Sequence, residues 1–162
     1  MGPATSHDSH HASRWLDDEQ QAAWRRTIAG SIHLVDQLDR DLRAAHGLTL
    51  ADYEILVHLS EAPDRRLRMA ELAAAALVSR SRLTHRIDRM DHRGLVEREA
   101  CDTDKRGTFA VLTDAGRELL VESAPTHVDS VRRYVVDRLS PAQLAALGEA
   151  MGEVAAAVGP TD

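Results

Sequence analysis

One hundred and sixty-two residues support one domain with its own core, or two interleaved lobes, and exclude two large independent domains. At 43% apolar and 28% charged the chain has the balance of a globular protein, and 3% aromatic residues disfavour an aromatic-rich barrel or a stacking platform for single-stranded nucleic acid. The net charge of −6 argues against nucleic acid until its distribution is read. Residues 64–93 hold Arg65, Arg66, Arg68, Arg80, Arg82, Arg86, Arg89 and Arg93 against Asp64, Glu71, Asp88 and Asp91, so one arginine-only basic segment sits inside an acidic protein. Arginine suits phosphate and base edges because its planar fork donates in pairs.

No run approaches eighteen uncharged apolar residues, and Met1–Ser13 lacks the basic-then-apolar pattern of a signal peptide, so a cytoplasmic protein without membrane contact is expected. Cys101 stands alone, which excludes an internal disulfide framework and any Cys-only metal site. Residues 1–13 are small, polar and His-rich and read as a disordered tail, whose His7, Asp8, His10 and His11 form at most a loose metal cluster.

From Asp17 to His46, Trp24, Ile28, Ile32, Val35, Leu38 and Leu42 recur at steps of four and three, the apolar stripe of one long helix stopped by Gly47. Thr49 opens a second helix with Asp52 three residues on, an approximate capping box, and Tyr53, Ile55, Leu56, Val57 and Leu59 nearly surround it. Arg66–Met69 is a connector or brief strand before an Ala-rich helix of about Met69–Leu77. After Val78-Ser79-Arg80-Ser81 the period resumes with Leu83, Ile87 and Met90; Ser79 or Ser81 caps this helix and Gly94 ends it. Two short helices joined by a tight turn, the second rich in arginine, form a helix-turn-helix pattern.

The period then changes to two. Leu95–Cys101 and Thr108–Thr113 alternate around the polar loop Asp102–Gly107, which predicts a β-hairpin, and Thr113 or Asp114 caps the following helix. Leu120, Ala124, Val128, Val131, Val135 and Leu139 make the next stripe, which Pro125 should kink or split. Ser140-Pro141-Ala142-Gln143 combines an N-cap, proline at the first helical position and a closing glutamine. Leu144, Leu147, Met151, Val154 and Val158 follow as a heptad-like seam.

The predicted fold is mainly α with a small β-hairpin wing: a winged helix-turn-helix at 48–114, flanked by helical regions at 14–47 and 115–158. With Leu83, Ile87 and Met90 turned inward, Ser81, His85, Asp88 and His92 point outward, flanked by Arg82 and Arg89 on one side and Thr84 on the other. Such a helix enters a major groove N-terminus first. Ser79, Ser81 and Thr84 suit phosphate, Arg82, Arg89 and His85 suit base edges, and Arg80 and Arg86, nearer the inward face, would reach base or backbone sideways. Asp88 and Asp91 are expected to pair with neighbouring arginines. The hairpin tip offers Lys105 and Arg106 to a minor groove or its phosphates, with Asp104 able to fix Arg106.

The run Ser79 to Val96 resembles the recognition-helix segment of MarR-family transcriptional regulators, and Cys101–Gly116, with Asp104-Lys105-Arg106-Gly107 and Val111-Leu112-Thr113-Asp114-Ala115-Gly116, resembles that family's wing. His85 stands where arginine is common, and Arg68 replaces the usual small hydroxyl cap before the Ala-rich helix. The resemblance implies a homodimer built from the first and last helices, presenting two winged helices to a palindromic operator on double-stranded DNA, usually to repress. It also implies a small phenolic or anionic effector between the dimer helices and the winged helix, where Trp24, His33, Tyr53 and His58 lie on helices that can line the cleft. Energetics favours the dimer as well: a specific site needs roughly 4–10 kcal/mol over non-specific DNA, more than one small module supplies.

An enzyme is not expected. The chain has no Gly-rich phosphate loop after a strand, no His-Glu-x-x-His and no Gly-x-Ser-x-Gly, and no cofactor or metal site is indicated. The competing readings are an architectural DNA binder and a winged helix used for protein contact.

Overall fold

The computed structural model describes residues 14–101 and 104–158, of which 101 and 104–106 by backbone alone. The expected tail with its His7, Asp8, His10 and His11 therefore lies outside the described residues. The chain divides into two units, Met1–His33 and Leu34–Asp162.

The first unit contains the opening of helix α1 (Asp18–His46). Asp17 caps it reciprocally: its carboxylate accepts from the Gln20 amide at 2.8 Å, and the Gln20 side chain accepts from the Asp17 amide at 3.2 Å. Trp24, Ile28 and Ile32 form the expected stripe and are all exposed.

In the second unit α1 finishes at Gly47, whose φ of +60° suits a residue without a Cβ. Thr49 accepts from the Asp52 amide and starts α2 (Leu50–Glu61). A 3₁₀ turn (Pro63–Arg65) leads to β1 (Arg66–Arg68), α3 (Met69–Ala75), α4 (Arg80–His92), β2 (Val96–Cys101) and β3 (Asp104–Leu112). Then come α5 (Asp114–Val131), a π-helical turn (Arg132–Val136) and α6 (Pro141–Val158). The Ser140 box forms in both directions, at 3.0 and 3.3 Å.

Both helices of the helix-turn-helix stop by the same device. At the end of α4 the Gly94 amide bonds Asp91 O at 2.8 Å and the Leu95 amide bonds Met90 O at 2.9 Å; at the end of α3 the Leu77 amide bonds Ala74 O and the Val78 amide bonds Ala73 O. In both, the second residue after the helix is left-handed, Gly94 at φ +68° and Leu77 at +53°. The Ala-rich helix is thus shorter than expected, ending at Ala75, because Leu77 takes a stop position that its side chain does not advertise. Glu71 supplies the returning half of a capping box at the start of α3, accepting from the Arg68 amide at 3.2 Å.

β1, β3 and β2 form one antiparallel sheet in that order. The wing is therefore three-stranded, because Leu67 pairs with Ala110 and turns the connector into an edge strand. β3 begins at Asp104, earlier than the expected Thr108, with a register irregularity at Ala100/Cys101. On one sheet face Val96 pairs with Leu112 and closes the core formed by Leu56, Leu59, Leu72, Leu83, Ile87 and Met90. Each such side chain gains about 1.5–3 kcal/mol on leaving water. On the opposite face Phe109 lies under the Arg66 and Arg68 guanidinium groups, 5.1 and 5.3 Å from its ring centre.

α5 departs from its expected stripe. Only Leu120 of that stripe is buried and Val128 is 52% exposed; the buried positions are Gly116, Leu120, Ser123 and Ser130. Polar partners on α1 determine this rotation: Ser130 donates to Asp41 at 2.7 Å, and Thr126 bonds His46 at 2.8 Å. Pro125 does not split α5, which runs through it; the departure from α-helical bonding comes later, at Arg132–Val136. Val154 and Val158 of α6 are exposed, as are Leu147 and Met151.

Candidate nucleic-acid interface

α4 is held by its apolar row, with Leu83, Ile87 and Met90 at most 1% exposed. Ser81, Arg82, Thr84, His85, Arg89 and His92 consequently face solvent, as the 100° step predicts. Ser79 is the N-cap, its oxygen accepting from the Arg82 amide while its hydroxyl proton stays available to a phosphate. Thr84 differs, since its hydroxyl donates to Arg80 O at 2.9 Å and must release that bond before donating elsewhere.

The first turn of α4 contains no acidic residue and carries Arg80 and Arg82. Cations at a helix N-terminus cost a few tenths of a kcal/mol to about 1 kcal/mol, because they meet the positive end of the dipole. An anion against this turn would reverse that cost, and the unpaired N–H groups there are the usual donors to phosphate. Beside the turn, Arg68, Arg80, Thr84, Gly107 and Thr108 line a cavity of about 330 Å³ at the base of the wing.

Two residues of α4 have ion-pair partners on other elements. Arg86 is half-buried, and its guanidinium donates to the buried Asp52 carboxylate at 3.4 Å. Asp88 pairs with an arginine, as expected, and that arginine is Arg98 of β2, at 2.7 Å. Arg98 also donates to Thr84 O at 3.2 Å, tying the wing to the middle of α4. Strand alternation could have found it: Arg98 lies two residues beyond Val96, on the sheet face turned to α4. Asp52 gave no such signal, since its partner is 34 residues away in sequence. Lys105 and Arg106, with their expected support Asp104, have side chains outside the description, as does Cys101.

Among the residues proposed to line an effector cleft, His58 borders a cavity of about 470 Å³ with Val35, Leu50, Ile55 and Leu77. Tyr53 is buried against His127, ring centres 4.6 Å apart, and does not line it. Burial pushes His127 below its ordinary pKa, against the pull of Glu54, and its Nδ1 has no hydrogen-bond partner among the described residues. Among the described residues no group of three or more His, Cys, Asp or Glu could hold a metal ion, and no helix is long and apolar enough to cross a membrane.

Residues 46–107, which take in α2 through the start of β3, match the model of the MarR family. The chain is similar to Sco3205 of Streptomyces coelicolor, a MarR family transcriptional regulator solved in complex with DNA, with 49% identity and a TM-score of 0.88 over 91% of this chain and 96% of that one. It is 33% identical over 93 residues to the transcriptional regulator HosA of Escherichia coli, covering 57% of this chain and 67% of HosA. It is 32% identical over 88 residues to the HTH-type transcriptional repressor YetL of Bacillus subtilis, covering 54% and 53%. With a fold, a helix-turn-helix and a wing that agree with these matches, the chain belongs to the MarR family of winged helix-turn-helix transcriptional regulators, which are not enzymes.

Proposed function

We propose that this protein is a sequence-specific repressor that binds a palindromic operator as a homodimer. The observation that carries this reading is the outer face of α4, where Ser81, Arg82, His85 and Arg89 stand exposed around an N-terminal turn without acids. In the proposed complex α4 enters the major groove. Arg82, His85 and Arg89 meet base edges, Ser79, Ser81, Thr84 and Arg80 meet phosphates, and Lys105 and Arg106 follow the adjacent minor groove.

The pairing is proposed through residues 14–47 and 115–158, leaving 48–114 as the DNA-binding domain. Support comes from apolar surface that each unit leaves uncovered: Trp24, Ile28 and Ile32 in the first, and Leu147, Met151, Val154 and Val158 in the second. Repression has the support of relatives such as the repressor YetL. The cavity beside His58 is the proposed effector site, since its volume lies within the about 300–1,000 Å³ usual for small-molecule pockets.

In vitro selection of bound duplexes, followed by titration of the selected and scrambled duplexes at one salt concentration, tests the reading. A selected-to-scrambled affinity ratio of about a thousand or more is expected. A ratio near one would replace it with an architectural role, and absence of binding with a protein-contact role.

A further inference from the structure

We propose that Asp52 of α2 is a positioning residue for DNA recognition, fixing the rotation of α4 through Arg86 and aiming Arg89 outward. The inference rests on the DNA-binding reading above and assigns work to two residues that do not touch DNA in it.

Asp52 is 4% exposed, and a carboxylate so deeply placed needs a partner. Its backbone amide serves the Thr49 cap, but its carboxylate turns away from that cap toward α4. There Oδ1 accepts from Arg86 at 3.4 Å, and the Arg89 guanidinium lies 3.9 Å from the same oxygen. Arg86 and Arg89 are three residues apart, on successive turns of α4, so the oxygen that bonds one turn lies beside the next. Their exposures differ in the sense this requires: the Arg86 side chain is 28% exposed and that of Arg89 61%. The first is an internal tether; the second stays mostly in solvent.

The apolar row of α4 fixes its depth, Arg98 of β2 holds one side through Asp88 and Thr84 O, and the Asp52–Arg86 pair holds the side facing α2. A roll of about 10° moves groups at the helix surface, about 6 Å from the axis, by about 1 Å. That displacement is enough to spoil a bidentate hydrogen bond to a base edge, whereas a long side chain can follow a phosphate. Loss of the tether should therefore damage discrimination between sequences while leaving non-specific affinity intact.

Salt dependence separates a tether from a phosphate contact, because each cation neutralising a phosphate contributes about one unit to the slope of log K against log salt. The full chain is titrated on its selected duplex and on a scrambled one. Arg82→Gln, a proposed DNA contact, should lower the slope on the selected duplex. Arg86→Gln should leave the slope on both duplexes unchanged, weaken the selected duplex about tenfold and spare the scrambled one. The double variant Asp52→Leu/Arg86→Met replaces the ion pair by an apolar pair, a change often neutral or stabilising for the fold, and should show the same loss of selectivity. A slope lowered by about one in Arg86→Gln, with equal losses on both duplexes, would make Arg86 a phosphate contact and overturn the proposal. Selectivity retained in either variant would overturn it as well. Failure of the DNA-binding reading shows separately, as a parent protein that does not distinguish the two duplexes.

Discussion

Gly116→Ala is expected to destabilise the junction between wing and α5. Gly116 sits in the first turn of α5, its amide bonded to the Thr113 hydroxyl at 3.0 Å, while that hydroxyl donates to Gly94 O at 2.7 Å. A Cβ at this position would overlap the carbonyl oxygen of Leu95, come within 3.0 Å of the Leu95 carbonyl carbon and within 2.8 Å of Leu112 Cδ1. The side chain can yield, but the backbone cannot do so locally, because the Leu95 amide is tied to Met90 O at the end of α4. Alanine is favoured over glycine in a helix by about 1 kcal/mol, and overpacking costs about 1–3 kcal/mol or more. With backbone as the obstacle the upper end applies, leaving a net loss of about 2 kcal/mol. For a urea m-value of about 2 kcal/mol/M the unfolding midpoint should fall by about 1 M, compared at equal protein concentration because self-association would shift it. A midpoint equal to or above the parent's would show that the turn has room, and would refute the tight seating of the wing on α5.

Ser79→Ala should cost about 1 kcal/mol of stability by removing the α4 cap, read in the same urea titration, with Ser79→Thr largely restoring it. Leu77→Gly should raise stability by about 0.5–1 kcal/mol, because Leu77 is left-handed at φ +53° and 71% exposed, so little packing is lost. Stability should fall as the pH drops below about 6.5: burial holds His127 under its ordinary value of 6.5, so the unfolded chain takes up protons that the folded one resists. His127→Phe should flatten that limb in a pH series of thermal melts. It should spare the steeper loss below about 3.8, where Asp39 and Asp41 protonate. Burial opposes the Asp39 charge but hydrogen bonds from Arg43 and the Leu50 amide outweigh it, and the Ser130 hydroxyl, against burial, holds the Asp41 carboxyl low.

Local chemistry was readable where its partners lie within a few residues. Leu83, Ile87 and Met90 set the buried side of α4, Gly94 marked its stop, and the Ser140 box forms as its spacing implies. Features with distant partners were not readable. Arg86 sits near the inward face in any helical projection, but nothing nearby announces that Asp52 receives it. α5 turns Ser123 and Ser130 inward in place of Val128, because Asp41 on α1 accepts a hydrogen bond there. The connector becomes a strand only because β3 offers it an edge, and Leu77 ends α3 with a residue whose propensity favours continuing it.

Phasing of the two half-sites tests most directly whether a two-fold pair of α4 helices reads DNA. Affinity is measured for the selected inverted repeat and for the same repeat with about five base pairs, half a helical turn, inserted at its centre. Binding to the expanded repeat is predicted to fall to the level of a scrambled duplex, because the second helix then faces the wrong side of the DNA. Equal affinity for the two duplexes would contradict the account.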